Sequence, residues 1–234
     1  MKPFLLLVIV CLSLTGCVTF TEVDWRTQSK YKKVAVVSTL GEEISVINQR
    51  FMVGDNIMET RSLPYQSIVK PTEDLVIDKL AEKNMIGVSV YQEMKDFDFI
   101  NNFFPAEPML RTAKIKEKLR GMGYDLAVVI LPSTILPGDH NSYYYNEMGV
   151  YRWHVMSKPK NQAFAYFYLY FLDLIGEDDL RGGGGIRREP SVVSLEALVK
   201  DDVPLTEADW KQIEDQVRDI ALKRVSEVLD EQFN

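Results

Sequence analysis

Few side chains in this 234-residue chain are suited to covalent or metal chemistry, since it holds only two histidines and two cysteines. His140 lies in Pro137-Gly138-Asp139-His140-Asn141, just after an apolar run. Polar residues beyond the end of a strand in an open α/β sheet are where ligands often sit. Asp139 could orient His140 as a general base, which is the chemistry of a hydrolase. A glycine-centred turn with polar tips accounts for the same residues. His154 falls within a strand-like run, so a multi-histidine metal cluster cannot be assembled. No metal and no cofactor is expected.

Other motifs fail on spacing or context. Ser157-Lys158-Pro159-Lys160 fits S-x-x-K, but that serine and lysine must face each other at a helix start, and here they occupy a hairpin-turn sequence. The four glycines 182–185 lack the Lys-Ser/Thr of a P-loop, and Gly121-Met122-Gly123 lacks the third glycine of the dinucleotide fingerprint. Asp178-Asp179 and Asp201-Asp202 lack the alternating ligands of a calcium loop. The strongest recognition candidates are aromatic: Tyr143, Tyr144 and Tyr145, with Tyr151 and Trp153 nearby. Such side chains give large, rigid contact area with polar tips, suited to a protein or glycan partner. Filling and rimming a core is their competing use.

The N-terminus is more specific. Lys2 precedes an apolar run over residues 4–14, the layout of a secretory signal peptide. The run is too short for a membrane span, which needs roughly 20 apolar residues. It ends in Leu14-Thr15-Gly16-Cys17, which resembles the lipobox of bacterial lipoproteins. The resemblance implies diacylglyceryl transfer to the Cys17 sulfur, cleavage between Gly16 and Cys17, and acylation of the new amino group. Stable attachment takes about two lipid signals, and a three-chain Cys17 exceeds that. Val18, where an aspartate would signal inner-membrane retention, points to the outer membrane. The expected organisation is a signal peptide over 1–16, a lipidated tether over 17–30 and one globular domain over 31–234. The implied partners are the membrane, through lipid on Cys17, and an envelope protein or glycan.

Composition agrees with a folded domain: 46% of residues are hydrophobic and 26% charged. Loss of Lys2 takes the net charge from −7 to −8. Nucleic acid is excluded as a partner, because phosphate binding needs a basic stripe. With Cys11 removed and Cys17 acylated, the mature chain has no thiol for disulfides, nucleophilic catalysis or zinc.

Helix–strand alternation predicts one mixed α/β or α+β sheet flanked by helices. Strands are expected at 33–38, 44–51, 86–91 and 126–131, with helices capped by Thr72 and covering 110–122. The runs 143–155 and 163–174 predict an antiparallel pair. In the second, Phe164, Tyr166, Tyr168 and Tyr170 share one face, and Ala165, Phe167, Leu169 and Phe171 the other. Residues 177–190 read as a surface loop. A long amphipathic C-terminal helix starts at Thr206, with Asp209 completing a capping box. In outline this is similar to small periplasmic lipoprotein domains, including the curli-secretion class. The functional expectation is a non-catalytic binding or assembly factor of the envelope; the alternative is an envelope hydrolase using Asp139 and His140.

Overall fold

The computed structural model describes residues 30–40, 42–49, 57–97, 113–132, 148–155, 158–176, 182–190 and 205–233. Eight strands form one mixed sheet: β1 (Lys33–Ser38), β2 (Glu43–Gln49), β3 (Ile57–Ser62), β4 (Ile86–Ser89), β5 (Leu126–Pro132), β6 (Met148–Val155), β7 (Lys158–Asp173) and β8 (Gly182–Pro190). Among the described residues, four helices accompany them: α1 (Val69–Glu82), α2 (Tyr91–Met94), α3 (Ala113–Gly121) and α4 (Glu207–Phe233). This is the single mixed sheet with flanking helices, an antiparallel pair and a long final helix that the sequence predicts.

The register reduces eight strands to five columns. Residues 162–165 of β7 pair with both β6 and β8, and residues 167–170 pair with both β5 and β8. A strand has only two edges, so β5 and β6 must lie end to end along one edge of β7, with β8 on the other. Next to them, β1 pairs in parallel with β5, and β2 in parallel with β6. The outer column is β4 beside β1 and β3 beside β2. Each inner column is thus an interrupted long strand. At the junction, Thr39 N–H donates to the Ile130 carbonyl and Leu63 N–H to the Glu42 carbonyl.

Burial on both faces explains why β1 and β5 read as apolar runs without alternation. Val34, Val36, Val128 and Ile130 join the larger core, under Val76 and Leu80 of α1 and Ile213, Val217, Ile220 and Val228 of α4. Ala35, Val37, Ala127 and Val129 meet Ile115 and Leu119 of α3 and Met94 of α2 on the opposite face. Each large aliphatic side chain so buried contributes about 1.5–3 kcal/mol on leaving water. Helix α4 starts with the capping box read from the sequence: Asp209 N–H donates to Thr206 Oγ1 at 3.2 Å, and Thr206 N–H donates to Asp209 Oδ2 at 2.9 Å.

Two expectations need correction. Residues 182–190 form β8, not a loop, with Gly182, Gly183, Gly184 and Gly185 opposite Tyr170, Leu169, Tyr168 and Phe167. Ladder bonds need only backbone, and large β7 side chains can cover the space that glycines leave open. Helix α1 starts at Val69, so Thr72 lies inside it and its Oγ1 donates to the Ile68 carbonyl at 2.7 Å. Pro71 sits in the first turn, where its missing N–H costs nothing. Strand β3, polar and weakly alternating, has no expectation to match.

Gly149 marks where β6 meets β2, and a Cβ there would overlap the Ser45 carbonyl oxygen. Gly149→Ala is expected to lose about 3 kcal/mol or more of stability in urea unfolding. A variant as stable as the wild type would show that the β2–β6 pairing is not so close.

Candidate functional site

The carboxyl ends of parallel strands are the usual place for a ligand crevice, especially where neighbouring connections leave to opposite faces. Strand β1 lies between β4 and β5, with α1 on one face and α3 on the other. Yet β1 and β5 continue into β2 and β6, so the sheet itself fills the expected opening. Only β4 turns away, into α2.

That turn leaves a backbone donor to be satisfied. Val90 N–H completes the ladder on the Val36 carbonyl, but the Val90 carbonyl accepts from Met94 N–H in α2. In a continuing parallel ladder it would have served Ser38. Glu73 of α1 takes that place: its Oε1 accepts Ser38 N–H at 2.9 Å, while Oε2 accepts Tyr65 OH at 2.7 Å and Ser89 Oγ–H at 2.6 Å. Glu73 is fully buried. Burial raises its pKa above the usual carboxylate range, outweighing the opposing hydrogen bonds from Ser89, Tyr65 and Ser38.

Outside this carboxylate, Tyr65 stacks on Tyr91 with ring centroids 4.4 Å apart, and Tyr91 OH donates to Glu42 Oε1 at 2.9 Å. Burial pushes both phenols up to about 12, so they stay protonated and act as donors. Ser89 has a carboxylate neighbour, but both Glu73 oxygens are already engaged. Together the three donors hold this carboxylate in one orientation.

A second pair of acids works at the other end of the sheet. Asp125 Oδ2 accepts Lys32 N–H at 2.9 Å and Lys33 N–H at 3.0 Å. Asp173, at the end of β7, accepts Tyr31 OH at 2.9 Å, Lys30 Nζ at 3.1 Å, and the N–H groups of Ile175 at 3.0 Å and Gly176 at 2.8 Å. Burial alone would raise its pKa, but the bonds from Gly176, Tyr31, Lys30 and Ile175 together hold it below the usual range. These acids fasten the first described residues to the sheet.

Cys17, Asp139, His140, Tyr143, Tyr144 and Tyr145 lie outside the described residues. Tyr151 and Trp153 are in β6, opposite Gln162 and Lys160, and His154 is opposite Pro159 in the same ladder. Lys158, Pro159 and Lys160, read from the sequence as a hairpin turn, instead belong to strand β7. Among the described residues no group of three or more His, Cys, Asp or Glu is placed to hold a metal ion. The sequence reading missed Glu73, Tyr65 and Tyr91; an acid in the first turns of an amphipathic helix looks like ordinary solvated charge. On β7 the predicted face is real: Tyr166 and Tyr168 rings lie 5.8 Å apart and Tyr168 and Tyr170 6.0 Å.

No protein-family model matches the chain, and neither does any curated protein. Among solved structures, the chain is similar to the protein XCC0632 from Xanthomonas campestris, family model DUF330, at 8% identity and a TM-score of 0.38, covering 91% of this chain and 85% of that one. It is similar to the lipoprotein GNA1162 from Neisseria meningitidis at 14% identity and a TM-score of 0.34, covering 72% and 90%. The PelC dodecamer from Paraburkholderia phytofirmans is matched at 10% identity and a TM-score of 0.32, covering 89% and 92%.

The two buried acids give opposite pH signatures. Folding raises the pKa of Glu73, so its contribution is fully present below the ordinary value and is lost as pH rises through the folded one. Folding lowers that of Asp173, so its contribution is present above the ordinary value and lost as pH falls through the folded one. In urea unfolding over a pH series, Glu73→Gln should therefore gain on the wild type as pH rises. Asp173→Asn should trail it by about 1–3 kcal/mol at neutral pH, with the gap closing in acid. Parallel pH profiles for the two variants would contradict this assignment.

Proposed function

We propose that this protein is a periplasm-facing lipoprotein, held at the outer membrane by lipid on Cys17, that acts as a non-catalytic binding or assembly factor of the cell envelope. The observation that carries the reading is Leu14-Thr15-Gly16-Cys17 after a short apolar run. The fold supports it in two ways. Lys30, the last residue assigned to the tether, is bonded to Asp173, and Asp125 holds the start of β1 directly after it. At the carboxyl ends of the parallel strands, where an α/β enzyme would bind its substrate, β2 and β6 continue the sheet and Glu73 is saturated.

Intact-mass measurement on fractionated membranes tests this. The expected species begins at Cys17, carries acyl chains, is found with the outer membrane and vanishes in Cys17→Ser. A His140→Ala chain should stay lipidated and restore a deletion strain as well as the wild type does. An unmodified soluble product would overturn the anchor, whereas failure of His140→Ala to restore function would favour a hydrolase.

A further inference from the structure

The end of the sheet where the chain enters has an unusual surface. Ile86 is 66% exposed and Ile175 is 54% exposed, the only large hydrophobic residues so exposed among those whose burial is described. Both lie at this end: Ile86 opens β4 opposite Lys33, and Ile175 follows Asp173, the last residue of β7. Between them run β1 and β5, so the two isoleucines are three strand spacings apart, about 14 Å. The gap holds Lys32 and Lys33, both exposed, and Lys30, whose side chain is 44% exposed. Arg120 is alongside, donating to the Leu174 and Gly176 carbonyls.

Single exposed aliphatic residues are ordinary, but two on one end, flanking a row of lysines at the point of tethering, are not. We propose that this end of the sheet is the membrane-facing surface of the domain. Ile86 and Ile175 insert at the headgroup boundary, and Lys32 and Lys33 reach lipid phosphate with their stems along the interface, while Lys30 stays on Asp173. The inference rests on the Cys17 anchor. Residues 17–29 span at most about 45 Å when extended, so the anchor confines the Lys30 end to within that distance of the bilayer.

Acids at this end are engaged: Asp173 and Asp125 bind the entering chain, and Asp230 is 2.9 Å from Lys79. Glu177, Asp178 and Asp179 follow Gly176 in sequence, so apolar insertion, not net charge, must carry the contact. The docking should therefore survive high salt.

The test uses the lipidated full chain in vesicles of phosphatidylethanolamine and phosphatidylglycerol. Ile86→Cys, Ile175→Cys and, on the exposed start of α4, Gln212→Cys each provide a thiol for a bimane label, with Cys17 acylated. Labels at 86 and 175 should shift to the blue and lose emission to lipids carrying a spin label near the headgroup, in low and high salt, while the label at 212 does neither. If all three behave alike in chains whose mass shows the lipid, docking is overturned and the anchor stands. A blue shift that needs no vesicles and grows with protein concentration overturns it in favour of a second copy. A mass without acyl chains overturns the anchor and the docking together.

Discussion

Strand β1 has partners on both edges and core on both faces, so each of its backbone groups must find a bond inside the protein. This requirement organises the molecule. Along the middle of β1 the neighbours β4 and β5 supply the bonds. At its two ends, carboxylates do. Asp125 accepts the N–H groups of Lys32 and Lys33, and Glu73 accepts that of Ser38 where β4 has turned into α2. An unpaired buried N–H costs about 1–3 kcal/mol, so each acid is tied to the strand by what its removal would expose.

The buried acids show which effect wins in each setting. Asp173 receives two backbone N–H groups, a phenol and an ammonium, enough to overcome burial and favour the charged form. Glu73 receives one backbone N–H and two hydroxyls, has no cation bonded to it, and sits next in sequence to Asp74, which adds to the rise. Burial therefore prevails. A buried carboxylate can thus have its pKa lowered where it anchors a chain entry or raised where it completes a ladder, depending on its donors.

How much of this was legible depended on whether a signal was local. The apolar runs of β1 and β5, the alternation along β7 and the Thr206–Asp209 box are patterns over a few residues, and the structure keeps them. Strand β8 was not legible, because its glycines give no β pattern of their own; the information lies in the aromatic strand opposite. Glu73 was hidden for the same kind of reason. Its role comes from a register reached only after α1 crosses over the sheet and α2 claims the Val90 carbonyl.

The end-to-end alignment of β1 with β2 and β5 with β6 has a consequence for recognition. In an open parallel sheet, the ends of the strands form a crevice walled by loops; here those ends are occupied by more strand. Polar groups that would converge on a ligand converge on backbone instead, as Glu73 does. The column of β3 and β4 carries the stacked Tyr65 and Tyr91 near its break, and the chain-entry end carries Ile86 and Ile175. Among the described residues, the strand ends thus extend the sheet, and Glu73 beside them serves its backbone.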